Sequence, residues 1–345
     1  VRYTLHNDAV KDMSGASIAK RTIWSQESQA QVRDLIREHQ PDLMHCHNTF
    51  PMMSPSIYYA AHNEGVPVVQ TLRNYRLLCI NGLLMRDGKP CEDCVGKSPL
   101  RGILHGCYRG DRAASAAVGA MLTTHRAMGT WHRMIDRYIS LSHFAREKFI
   151  KAGFDGNTIS VKPNFIAQDP GPGDGHGGFA LFVGRLSEEK GIDTLLEAWR
   201  VLERPLRLKI IGDGPMAPVV RSAADSDNRI QWLGQQPHPQ VIDLLGQARC
   251  AIVPSTCYET FGRTVIEAFA RATPVIATAH GAPAELIDHG QTGYLFALND
   301  AHDLAAQVRL VIDRNEKAQA MRINARQAYE EKYTAEAHYA ALMNV

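Results

Sequence analysis

Along the second half of the chain, apolar positions gather into short runs separated by longer stretches of mixed character. FALFVG (179–184), LRLKIIG (206–212), RIQWLG (229–234), CAIVPS (250–255), TPVIAT (273–278) and TGYLFA (292–297) are short and β-branched, and they read as strands. Helical spacing occupies 191–202, a stretch near 215–225, 239–248 and 263–270; in the last, Val265 and Phe269 are four apart and share an inward face. Strands that are apolar on both faces and alternate with helices belong to a parallel sheet covered on both sides. The first half shows the same alternation less cleanly. PDLMHCHN (41–48) and GVPVVQT (65–71) are predicted strands with a helix over 54–65 between them. DRYISLS (136–142) is a further strand, SHFAREKFIKAGF (142–154) a helix with Ser142 as N-cap, and TISVKPN (158–164) leads out of this half. VRYTLHND at the start reads as a strand entering a loop.

The glycine- and proline-rich stretch AQDPGPGDGHGGFA (167–180) marks a linker. The pattern thus predicts an α/β chain of two doubly wound, Rossmann-like domains facing each other across a cleft, over 1–165 and 166–325. The long helical stretch from about 303 ends in a helix over 326–345 that is expected to cross back to the first domain. A length of 345 residues with 45% apolar content suits two ordinary domains. A net charge of +2 with no basic block argues against a nucleic-acid partner. No apolar run is long enough to span a bilayer and no leader is visible, and seven cysteines, several isolated, suit a reducing cytoplasm.

Candidate chemistry gathers at strand ends, where parallel α/β domains bind ligands. The segment CYETFGRTVIEAFARATPVIAT (257–278) holds Glu259 on a rim loop and Glu267 in the first turns of a helix, with Gly262 allowing a close approach between them. Carboxylates in a cleft accept hydrogen bonds from vicinal hydroxyls of sugars and riboses; the plain alternative is a turn residue and a favourable helix-start charge. Arg185 follows a strand and Lys190 opens the next helix, which suits a diphosphate as well as it suits solvated surface charge. IIGDGP places Gly212, Asp213 and Gly214 at another strand end. ATAHGAPAELI adds Gly281, able to bring backbone N–H groups to a ligand, and Glu285.

VGRLSEEKGIDTLLEA, IIGDGP, the Glu-x7-Glu segment ETFGRTVIE and ATPVIATAHGAPAELIDHGQTGYLF, in this order, resemble the nucleotide-sugar-binding domain of the retaining GT-B-fold glycosyltransferases of family GT4. The first half resembles the same family through PDLMHCHNTFPMMSPSIYYAA and TLRNYRLLC. The resemblance implies a nucleoside-diphosphate-sugar donor, a UDP- or GDP-sugar, and a saccharide or lipid-linked acceptor. It implies that Arg185 and Lys190 hold the diphosphate and neutralise the leaving group with no catalytic metal, and that Glu259 contacts the donor sugar. Glu267 then takes the ribose, while Thr260, Phe261 and Gly262 offer backbone groups. It implies transfer with retention by front-side attack, the donor phosphate helping to deprotonate the acceptor.

The sequence departs from the family pattern at three places. Arg73 stands where the family usually has a histidine near the reacting sugar; it can donate hydrogen bonds to an oxygen or phosphate but cannot act as a base. The family's first strand and glycine-rich loop have no counterpart, DMSGASIAKRT (12–22) being no replacement, so a truncated first domain is expected. Ala282 stands where many relatives have a second glycine, a minor change.

Cys79, Cys91, Cys94 and Cys107, in an insertion over 79–107, include one Cys-x2-Cys pair and are expected to form a closed structural zinc site; free thiols or a disulfide are the alternatives, and His105 could replace one cysteine. His45 and His47, alternating on one strand, suit hydrogen bonding at the strand end better than metal binding. His125 and His132 read as structural. The basic segment THRAMGTWHRMIDR (124–137), with Trp131, suggests peripheral contact with the inner face of a membrane or with a lipid-linked acceptor. A catalytically silent sugar-nucleotide binder or scaffold, and a GT-B nucleotide-sugar epimerase, are the competing readings; oligomeric state is not legible.

Overall fold

Apolar runs of three to five residues become the strands of two all-parallel sheets. The computed structural model describes residues 1–5, 13–312 and 316–345. It divides into two units, Val1–Arg86 with Cys91–Val161 and Val345, and Asp87–Pro90 with Lys162–Asn344. Residues 1–5 take no regular structure, and the rest of the expected opening strand lies outside the described residues.

The first unit runs α1 (Gly15–Ile23), α2 (Gln26–His39), β1 (Met44–Cys46), α3 (Ser56–Asn63), β2 (Val68–Leu72) and β3 (Met85–Arg86). After β4 (Lys89–Pro90) come α4 (Leu100–Leu104), α5 (Arg112–Ala127), α6 (Thr130–Arg133), β5 (Arg137–Ser140), α7 (His143–Lys151) and β6 (Ile159–Val161). Its sheet has the order β1-β2-β5-β6, every pairing parallel. Parallel neighbours require crossovers, which α3, the 73–136 segment and α7 supply. Ser142 caps α7 as its sequence predicts, its hydroxyl accepting from the Ala145 N–H at 3.1 Å, an interaction contributing about 1 kcal/mol.

The second unit contains β7 (Phe179–Val183), α8 (Ile192–Val201), β8 (Arg207–Ile211), α9 (Ala217–Ser226), β9 (Ile230–Trp232), α10 (His238–Gln247) and β10 (Cys250–Val253). Then follow α11 (Arg263–Ala270), β11 (Val275–Thr278), α12 (Gly281–Leu286), β12 (Gly293–Phe296), α13 (Ala301–Ile312), α14 (Glu316–Lys332) and α15 (Ala335–Leu342). The six strands lie in the order β12-β11-β10-β7-β8-β9, all parallel. One face packs Leu195, Trp199, Leu208, Ile210 and Leu304 into a core, and the buried Trp199 indole donates to the Leu206 carbonyl at 3.0 Å. The strand order reverses between β7 and β10, so the loops leaving these two strands border the switch-point crevice of a doubly wound sheet.

Candidate functional site

Two glycines set the geometry of the second unit's rim. Gly191, with φ +70°, turns the chain into α8, and a Cβ there would lie 1.9 Å from the Pro254 carbonyl oxygen. The loop after β7 is therefore pressed against the loop after β10, and Thr256 N–H donates to the Glu189 carbonyl at 2.9 Å. Gly212, with φ +134°, brings the loop after β8 against the end of β7: a Cβ there would lie 1.9 Å from the Gly184 carbonyl oxygen. Gly214 packs likewise on Leu186. Gly212 and Gly214, expected at the ligand, also hold the loop after β8 against the loop after β7.

This close packing joins residues far apart in sequence. Lys190 Nζ donates to Glu259 Oε1 at 2.8 Å, and Ser255 Oγ donates to the same oxygen. The Glu259 and Lys190 side chains are 17% and 29% exposed, so the ion pair is largely withdrawn from water. Burial pushes the Glu259 carboxyl up, but the charge and hydrogen bond of Lys190, the Ser255 hydroxyl and His280 outweigh it and hold it below its ordinary value. For Lys190 burial acts downward, and Glu259 more than compensates, leaving the ammonium raised. Both groups are charged at neutral pH. His280 Nε2 lies 2.9 Å from the Ser255 carbonyl, which only accepts, so Nε2 carries the proton; burial keeps this ring's affinity for a second proton low. Gly281, with φ +68°, lies against the backbone of Tyr258 and Glu259, and Ala282 N–H donates to the Glu259 carbonyl at 3.2 Å.

Gly262 caps α11, and the Phe261 ring turns inward, 3% exposed, edge-on to Tyr333. Of Phe261, only the backbone is left for a ligand. Five residues beyond Gly262, the buried Glu267 holds Arg263 Nε at 2.9 Å and His238 Nε2 at 3.1 Å, both on Oε1. Arg263 and His238 are mostly exposed, so a carboxylate in the wall of the unit is bridged to solvent by two donors while Oε2 has no partner among the described residues. Arg185 is exposed. Sequence reasoning missed Ser255, His280, His238 and Arg263. Arg263 carried a signal, lying four residues before Glu267 on one helix.

In the first unit Arg73 Nε donates to His47 Nδ1 at 3.0 Å, and His45 Nε2 pairs with Thr71 Oγ1 at 2.8 Å. The two histidine rings lie 4.5 Å apart at the end of β1. His125 is structural, bonded to Thr130 Oγ1 and the Ile23 carbonyl. Of the segment expected at a membrane, Trp131 is 3% exposed and packed on Tyr58 and His125, so its ring is not presented to a surface. No helix among the described residues is long and apolar enough to cross a membrane.

Cys79, Cys91, Cys94 and Cys107 are free thiols. They lie close enough to act on one another: burial first, then Cys79 and Cys94, pushes the Cys107 thiol up to about 11. Among the described residues, however, no group of three or more His, Cys, Asp or Glu side chains is arranged to hold a metal ion.

Family models match both halves of the chain: "Glycosyl transferase 4-like domain" over residues 17–164 and "Glycosyl transferases group 1" over 171–328. A 2-deoxystreptamine N-acetyl-D-glucosaminyltransferase of Niallia circulans is 28% identical over 171 residues, 48% of this chain and 44% of that protein. A glycogen synthase of Mycobacterium tuberculosis is 35% identical over 153 residues, 43% of this chain and 37% of that protein. The matched region is therefore under half the length of each relative. Among solved structures, Anabaena Alr3699/HepE in complex with UDP-glucose superposes with a TM-score of 0.68 at 17% identity, covering 92% of this chain and 81% of that one. By fold and by the family models matched to its two halves, the chain is a GT-B-fold protein related to the group 1 and 4-like glycosyltransferases.

Proposed function

We propose that the chain transfers a sugar, with retention, from a nucleoside-diphosphate-sugar to a saccharide or lipid-linked acceptor. The observation that carries this reading is the Lys190–Glu259 pair at the switch point of the second sheet, with the Glu267 carboxylate one helix start away. A UDP-sugar is the favoured donor, because UDP-glucose is the ligand named for the superposed Anabaena protein. Arg185 and Lys190 hold the diphosphate and stabilise the charge that develops on it as the sugar leaves. Glu259, kept ionised by Lys190 and Ser255, accepts hydrogen bonds from the donor sugar's hydroxyls. Glu267 offers Oε2 to the ribose, and the backbone of Thr260, Phe261 and Gly262, with the Gly281 turn, lines the phosphate and sugar region.

In the reaction the bond from the anomeric carbon to the diphosphate oxygen breaks, and a bond to the acceptor oxygen forms on the same face. The acceptor's proton passes to the departing phosphate oxygen, so no protein base is assigned. The first unit, with Arg73 and His47 at its strand ends, takes the acceptor side. A silent sugar-nucleotide binder is the second reading, favoured by Arg73, which cannot serve as a base; donor binding without turnover would select it.

Calorimetry tests the donor roles. Glu267→Ala is expected to weaken UDP and UDP-glucose alike by about tenfold, the worth of one or two hydrogen bonds to a charged group. Glu259→Ala should leave UDP nearly unchanged and weaken UDP-glucose. Unchanged affinities in both variants would refute the assignment.

A further inference from the structure

In the first unit a recess of about 40 Å³ is lined by residues from the ends of β1 and β2 together with Tyr58, Arg76 and Trp131. The Arg76 guanidinium lies over the Phe50 ring at 4.5 Å and the Tyr108 ring at 5.0 Å, and Nη2 donates to the Asn81 carbonyl at 3.2 Å. Gly82 backs it so closely that a Cβ there would lie 3.4 Å from Cζ. Nη1 is shut off from solvent and has no acceptor among the described residues. The Trp131 indole N–H, on a side chain 3% exposed, likewise has none.

Both groups are donors only. Their unmet demand is therefore for acceptor atoms, and one of them carries a positive charge. Burial pulls the Arg76 guanidinium below its ordinary value, and no carboxylate stands among the groups acting on it. Other enclosed arginines hand donors to carboxylates or carbonyls of the chain: Arg229 pairs with Asp227, Arg326 with Asp169, and Arg126 donates to the Lys97 and Leu77 carbonyls, while Arg249 and Arg271 donate to carbonyls through Nη1 and, like Arg76, keep one enclosed donor (Nε) without an acceptor among the described residues. Two polar side chains of the recess, Tyr58 and Gln70, are spoken for. Tyr58 donates to Gln70, whose amide donates in turn to the His47 and Thr71 carbonyls. A desolvated cation with an idle donor, beside a second idle donor, costs stability unless an anion completes it. Water would satisfy the donors but not the charge, and the volume suits a carboxylate or the outer oxygens of a phosphate, not a sugar ring.

We propose that this recess binds an oxyanion group, a carboxylate or a phosphate, of the acceptor, with Arg76 as its charge partner and Trp131 as a second donor. The assignment to the acceptor rests on the reading of the first unit as the acceptor side; the oxyanion site itself rests on the recess alone. The residues act by binding and positioning and take no part in bond making.

The test follows the indole N–H resonances of the intact chain by NMR, the Trp131 signal being assigned as the one absent from Trp131→Phe. Sodium glucuronate serves as the carboxylate arm, glycerol phosphate as the phosphate arm and glucose as the neutral control. Saturable displacement of the Trp131 signal by one or both oxyanions, and none by glucose, is expected, and the arm that binds names the chemistry. Arg76→Gln should weaken that binding about tenfold or more, and Trp131→Phe, followed by calorimetry, about threefold. UDP affinity should be unchanged in both variants. Trp131→Phe removes the indole N–H together with part of a buried ring, so the titration of the unaltered chain, which needs no variant to fold, keeps the proposal open to failure even if a variant misfolds. Failure of both oxyanions to move the signal, equal displacement by glucose, or undiminished binding by the variants would overturn it. Loss of UDP binding in the unaltered chain would strike the donor reading and leave the recess standing; loss of oxyanion binding with UDP retained would strike the recess alone.

Discussion

In the second unit the rim acids Glu259 and Glu267 each have a cation against them; in the first, an enclosed guanidinium, Arg76, has no acid against it among the described residues. The contrast separates two ways of keeping a site ready. A paired acid stays ionised without a ligand, because Lys190 and Ser255 supply what water no longer does, and an incoming hydroxyl finds a charged acceptor already oriented. An unpaired cation leaves part of its solvation to be supplied by whatever binds. The first arrangement suits recognition of hydroxyls, the second recognition of an anion.

The largest expected effect is on the paired side. Glu259→Ala should lower kcat/KM for transfer about 100-fold, equivalent to roughly 2.7 kcal/mol. It should also destabilise the fold by about 2 kcal/mol in urea titration, because Lys190 is left largely buried without its counter-charge. Gly191→Ala comes next. A methyl group 1.9 Å from the Pro254 oxygen cannot be housed without parting the two rim loops, and a stability loss of about 2 kcal/mol is expected, with a matching fall in UDP-glucose affinity. An unaffected Gly191→Ala protein would show that the loops are not held together as described.

The pair also sets a pH dependence. Glu259 is depressed in the folded chain, so its contribution to stability is present above the unfolded carboxyl value and is lost as pH falls through the folded one. Lys190 is raised, so its contribution is present below the unfolded lysine value and is lost as pH rises through the folded one. Between these limits the stability gap between the unaltered protein and Glu259→Gln should be flat. Urea titrations from about pH 7 down to about pH 3 should show the gap close only at the acid end. A gap that varied near neutrality would point to a different partner.

A smaller effect is expected at Glu267. Removing Arg263 or His238 takes one donor from Oε1 and leaves the other, so each alanine variant should weaken UDP about threefold, against about tenfold for Glu267→Ala. The smallest concerns the thiols. Because no group of three or more His, Cys, Asp or Glu side chains among the described residues is arranged to hold a metal ion, elemental analysis should find well under one zinc per chain, with the thiols open to titration after denaturation. One zinc per chain would restore the metal site.

Most of the second unit was legible because strands buried on both faces read as continuous apolar runs, and only their ends shifted. CAIVPS reads as strand to Ser255, whereas β10 stops at Val253 and the rim loop begins inside the run. The first unit was less legible. Helix α2 buries few apolar residues, Val32 and Ile36 among them, so a mostly polar stretch gave little sign of a helix. Helix α5 is largely alanine and other small residues, whose burial depends on neighbours distant in sequence. At the site, the positions of Lys190 and Glu259 were readable from strand ends, but their pairing across 69 residues was not. Gly212 and Gly214 read as a ligand loop because glycine serves close approach of any kind; the approach of one loop to another that they also permit was not legible in the sequence. Trp131 beside basic residues looked like a surface anchor, and only packing against Tyr58 and His125 places it inside.

A crystal structure of the chain with UDP-glucose bound tests the central assignment most directly. The account predicts the diphosphate on Arg185 and Lys190, the sugar hydroxyls on Glu259 and the ribose on Glu267 Oε2. A diphosphate seated away from Arg185 and Lys190 would contradict it.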